Sequence, residues 1–163
     1  MSYARHTALD LSLAASQVVS SIPASDELLI LTYGTVTSGG ASDLHMLRPN
    51  SDSGANYSNI ALYENTQSQQ GVQAGLTSGL FLSRGGNGSD VQSTHRLTKR
   101  GNHWSMAGQQ IGKGSGVVTG EVGMSYGAWN GGGVAIATLQ FRWDVTTAAA
   151  RFTGRVEVWY RDA

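Results

Sequence analysis

The chain has 163 residues, with 11 basic and 11 acidic side chains, 22 glycines and no cysteine. Zero formal charge removes the basic footprint of a nucleic-acid binder or a membrane-surface protein. Without cysteine there are no disulfides, thiolate zinc sites or thiol nucleophile. No apolar run approaches the roughly 18 residues of a membrane-spanning helix. The opening Met-Ser-Tyr-Ala-Arg-His lacks the apolar core of a signal peptide. Only 13% of residues are charged, about half the usual share, which suits a subunit whose surface is covered by neighbours.

In chain order the apolar pattern has a period of two, the mark of strands. Residues 1–8 read as an N-terminal arm and residues 9–163 as one domain. Leu9, Leu11 and Leu13 alternate with smaller or polar residues, although their spacing also allows a helix. Ile22-Pro23 is an extended dipeptide, because the residue before proline is pushed out of the helical region. Residues 26–33 are apolar on both faces, which suits a central strand covered on both sides. Residues 35–41 read as a Gly/Ser/Thr turn, and Leu44 and Met46 as a short strand.

Residues 48–57, Arg-Pro-Asn-Ser-Asp-Ser-Gly-Ala-Asn-Tyr, form the most distinctive stretch. Proline pre-sets a turn, Asn and Asp bond their own backbone, and Gly54 is expected to supply positive φ. Beyond it, residues 60–63 read as a strand and the Gln-rich residues 65–75 as a loop or short helix. Residues 76–82 are apolar, and residues 85–88 form a loop. Residues 94–99 read as an edge strand whose His95, Arg96 and Lys99 discourage further pairing. A Gly101-Asn102 hairpin turn and a returning strand follow. Val122, Met124 and Tyr126 share one strand face, and residues 130–133 form a further turn. Leu139, Phe141, Trp143 and Val145 alternate cleanly with polar residues, as do Val156, Val158 and Tyr160. The pattern predicts an all-β fold, a jelly-roll-like antiparallel β-sandwich of about eight to ten strands.

Candidate chemistry is thin. Asn50, Asp52 and Gly54 echo the start of a calcium loop, but the position for its closing glutamate holds Ala61. A side-chain-capped turn is the favoured reading, with an irregular calcium site as the alternative. The stretch Gly108 to Gly114 is one residue short of a phosphate-binding loop and lacks its Ser or Thr. His95 and His103 could face each other across a hairpin, yet no third metal ligand is spaced to join them. No G-x-S-x-G elbow is present, and the carboxylates are scattered. No cofactor is implied. Among the tryptophans, Trp143 is in phase with the core. Trp129 sits at a turn, where it could stack on a sugar ring or line an interface. Trp159 falls on the outward face of the last strand, a placement typical of subunit interfaces.

Several stretches together resemble virion structural proteins of tailed bacteriophages. Ser21-Ile22-Pro23-Ala24-Ser25 before Leu28-Leu29-Ile30 is similar to their Ile-Pro-Ala approach to a central strand. Residues 47–57 are similar to their Leu-Arg-Phe-Asn-Gly-Asp-x-Gly-x-Asn-Tyr turn, with Pro49 and Ser51 standing where that pattern has Phe and Gly. Tyr126-Gly-Ala-Trp129 leading into residues 134–141, and Phe152-Thr153-Gly154-Arg155-Val156, extend the resemblance from about residue 9 to 160. At the end, Trp159-Tyr160 replaces the familiar Leu-Tyr-Gly.

The resemblance implies a non-enzymatic virion component of the tail-fibre, minor-tail or head-decoration kind. Its implied partners are itself, as a homotrimer, and neighbouring capsid or tail proteins, with no nucleic acid and no membrane. It supplies no catalytic residue. On this reading Arg48, Asn50, Asp52, Gly54, Asn56 and Tyr57 form a structural turn. The alternative is a carbohydrate-binding head that meets a host-surface glycan through Trp129 and the loops at residues 85–90 and 130–133.

Overall fold

A computed structural model describes residues 2–14, 16–37, 43–65, 70–74, 78–85, 88–113, 120–144 and 151–161. Expectations for residues 38–42, 66–69, 75–77, 86–87, 114–119 and 145–150, and for the side chain of Trp143, lie outside the described residues. The first six strands are β1 (Tyr3–Ala14), β2 (Ser16–Val19), β3 (Glu27–Thr37), β4 (Asp43–Pro49), β5 (Tyr57–Asn65) and β6 (Gln70–Ala74). The rest are β7 (Leu80–Gly85), β8 (Asp90–Arg100), β9 (His103–Lys113), β10 (Gly120–Trp129), β11 (Leu139–Asp144) and β12 (Arg151–Arg161).

The strands form two antiparallel sheets, ordered β1-β12-β3-β8-β9-β10-β5-β6 and β2-β11-β4-β7. Four pairings define the winding: β1 with β12, β2 with β11, β3 with β8 and β4 with β7. They are the rungs of one long hairpin rolled on itself, the topology of a jelly roll. Two strand pairs are added to it. β5 and β6 are inserted between β4 and β7, and β9 and β10 between β8 and β11. All four extend the large sheet beyond β8. These additions bring the strand count among the described residues to twelve, above the eight to ten expected.

The core lies between the sheets. Leu28, Ile30, Leu97, Val156 and Val158 of the large sheet join Leu47, Leu80, Leu82, Leu139 and Phe141 of the small one in a single cluster, each at most 2% exposed. Each such side chain contributes on the order of 1.5–3 kcal/mol relative to leaving it in water. The added strands are fastened to the edge strand β7 by side chains. Asn59 accepts from Phe81 N–H at 3.0 Å and donates to Gly79 C=O at 2.8 Å, while Gln110 Oε1 accepts from Arg84 N–H at 2.8 Å. Polar groups of the large sheet thereby occupy backbone positions that an edge strand would otherwise expose.

Four local expectations change. Residues 35–37, read as the start of a turn, continue β3 and pair with β12. Residues 94–99 lie in β8, between β3 and β9, and not at an edge. The charges misled because they point outward: Arg96 is exposed and pairs with Glu27 at 2.6 Å, while His95 turns into the core. Residues 3–8, read as an arm, are the first half of β1, in register with β12 from Tyr3 opposite Arg161. Residues 70–74, read within a loop or short helix, pair with β5 as β6.

Candidate functional site

The turn at residues 48–57 leaves β4 and enters β5. Backbone reversal falls on Asn50 and Ser51, with φ of 50° and 54°. Asn adopts this left-handed region with little penalty, whereas Ser does so at a cost. Gly54 is not among the positive-φ residues, so its expected conformational role is corrected. Space is what the glycine supplies. A Cβ there would lie 3.0 Å from Asn56 Nδ2 and 3.1 Å from Asp52 Oδ1.

Asp52 is the hub. Its Oδ1 accepts from Gly54 N–H at 2.8 Å, and its Oδ2 from Asn56 Nδ2 at 2.9 Å and Trp129 Nε1 at 2.8 Å. The Trp129 bond, then the Asn56 and Gly54 bonds, hold the carboxyl below the usual carboxylate range. Tyr57 Oη donates to the Asp52 carbonyl at 2.7 Å. Burial, reinforced by the Asp52 charge, pushes the Tyr57 phenol upward.

Asn50 clasps the segment before β11. Its Oδ1 accepts from Ala137 and Thr138 N–H at 2.8 and 3.2 Å, and its Nδ2 donates to Ala135 C=O at 3.0 Å. Arg48 Nε donates to Ser78 C=O. The six turn residues therefore join β4, β5, β10 and the segments at residues 78 and 135–138.

This geometry decides between turn and cation site. Three N–H donors aimed at one carboxylate, and two more aimed at Asn50 Oδ1, are surroundings for an acceptor. A calcium ion needs the reverse, oxygens converging on a common centre.

Nor do His95 and His103 meet. His95 lies opposite Gly108 and His103 opposite Arg100, at the far end of the hairpin. His95 is fully buried with Nε2 2.8 Å from Ser125 Oγ, and a Cβ at Gly108 would fall 2.2 Å from its ring. His45, from β4, is buried too, its ring 5.5 Å from that of Phe152. Burial pushes both imidazoles down to about 3, with the neighbouring His95 adding to the effect on His45.

Trp129 offers no sugar platform. It is 2% exposed, its Nε1 is taken by Asp52, and Gly131 packs on its ring, where a Cβ would come within 2.2 Å. It stands in a cross-strand row with Tyr57 and Trp104, both also buried. Trp159 does face outward, but half-covered: the Arg5 guanidinium lies 5.8 Å from its ring centre, and Nε1 donates to Glu157 at 3.1 Å.

One surface feature escaped the pattern reading. Among their described side chains the added strands carry seven exposed large apolar residues: Ile60 and Leu62 on β5, Val72 on β6, Ile111 on β9, and Val122, Met124 and Tyr126 on β10. Register makes them neighbours. Val72, Leu62 and Met124 form one cross-strand row, Ile60 and Tyr126 the next, and Val122 and Ile111 a third. The alternation at residues 122–126 was legible, but its phase is the opposite of a core strand. The inward positions hold Ala61, Gly123, Ser125 and Gly127 because the sheet is closely backed: a Cβ at Gly127 would lie 2.9 Å from Leu80 Cδ2. Small residues between the large ones were the available signal.

No protein-family model and no curated protein sequence matches the chain. Among solved structures it is similar to the enzymatically active domain of tailspike protein 2 of bacteriophage CBA120, with a TM-score of 0.34 and 9% identity. The match covers 99% of this chain and 29% of that one. This chain thus spans under a third of that protein's length, and a likeness at this score carries no argument about a shared activity.

Proposed function

We propose that the chain is a non-enzymatic structural subunit of a tailed-bacteriophage virion, in the capsid as a decoration protein or in the tail, working by self-association and attachment to neighbouring subunits. One observation carries this reading. The most distinctive motif is engaged in holding the fold together, while the largest apolar surface among the described residues is a sheet face. Soluble monomers rarely leave contiguous apolar patches of that extent open. The sequence resemblance to phage virion proteins supports the virion as its place. Low charge fits a subunit largely covered by neighbours. The glycan-binding alternative loses its aromatic anchor with the burial of Trp129.

Immunogold labelling of purified virions with antibody against this chain tests the assignment. Label at a fixed position on head or tail is the expected outcome. Absence of the chain from washed, infectious particles would contradict it.

A further inference from the structure

We infer that the outer face of the four added strands is the surface through which one copy of this chain binds another. The inference rests on the structural-subunit reading and names the surface that reading requires.

Among the described residues, seven exposed large apolar residues lie on β5, β6, β9 and β10, the strands inserted into the jelly roll. The jelly roll's own half of the same outer face is different. There Arg5 covers Trp159, Arg155 bonds Glu157 and Asp10, and Arg96 and Arg161 pair with Glu27. Among the described residues that half exposes two large aromatic side chains, Tyr33 on β3 and Tyr3 on β1, against seven large apolar ones on the added half. The seven residues adjoin in three cross-strand rows, each 43% to 63% exposed, a patch comparable to the ~800 Å² that each partner contributes to a stable interface.

The occupant is a second copy on grounds of charge and shape. With 11 basic and 11 acidic residues, two copies approach without net repulsion. The face also carries relief that suits its own features. Met124 lies between two shallow depressions, one of about 440 Å³ beside Leu62 and Val72, the other of about 360 Å³ beside Tyr126 and Ala107. A flexible thioether flanked by hollows can enter the hollow of a symmetry-related copy, reciprocally in a dimer or head to tail around a trimer. Glu64, opposite Val122, sets one charge beside the apolar rows and lines the larger depression.

Light scattering after gel filtration, with the full chain at several concentrations, provides the test. The wild type should run as a discrete dimer or trimer of the 17.2 kDa chain. Met124→Glu and Leu62→Lys, both on exposed positions, should keep the native circular dichroism spectrum. Each should raise the dissociation constant at least ~100-fold, as expected for a charge driven into a central apolar contact. A folded oligomer unaffected by either substitution would overturn this face while leaving self-assembly standing. A wild type monomeric at every concentration would overturn both.

Discussion

Asp52 concentrates three N–H donors on one carboxylate, so its removal is costly in proportion. Asp52→Asn preserves shape but replaces one acceptor oxygen by an NH2 group that confronts donors already aimed at it. Losing bonds to a charged acceptor typically costs ~1.5–3 kcal/mol, and a denaturant melt at neutral pH should report a loss of that size. Ser51 makes the complementary case. It holds φ of 54° without being glycine, so Ser51→Gly should stabilise the fold by about 0.5–1 kcal/mol. Gly54→Val should destabilise by more than about 2 kcal/mol, through contact with Asn56 and Asp52 and not through φ. The residues of this turn were legible in the sequence as a structured unit. Their partners were not, because Trp129 and residues 135–138 lie some 80 positions downstream and local pattern carries no record of them.

At the level of elements, each sheet buries an imidazole as well as aliphatic side chains: His45 of β4 in the small sheet, stacked on Phe152, and His95 of β8 in the large one, bonded to Ser125. His45 and His95 are held neutral, their values lowered from 6.5 to about 3. The unfolded chain takes up protons below pH 6.5 while the folded chain does not. Stability from this pair is therefore complete above about pH 6.5 and falls as the pH drops toward 3. Thermal melts between pH 7.5 and 5 should show a falling midpoint, in a range above the ordinary titration of Asp52. His45→Gln, which removes one titrating group, should flatten the slope. A midpoint independent of pH across that range would contradict the placement of these rings. The sequence marked residues 94–99 as an edge because charge on one face of a strand looks the same whether or not both neighbours are present. Only the pairing of β8 with β3 and β9 distinguishes the cases.

For the whole molecule, alternation of apolar residues established the sandwich, since buried faces of antiparallel sheets select for period two. It could not establish which face of the added strands was buried. The large residues there point away from the body, and small residues take the inward positions, Gly127 against Leu80 of β7 and Ser125 bonded to His95 of β8. A jelly roll that carries four extra strands with an open apolar face presents, on the proposed reading, a surface that a second copy completes. The most direct measurement is an experimental structure of the assembled protein, by electron cryomicroscopy or crystallography of the solution oligomer. Met124 and Leu62 of neighbouring copies should be buried against one another across a symmetry axis. An assembly in which that face remains open to water would contradict it.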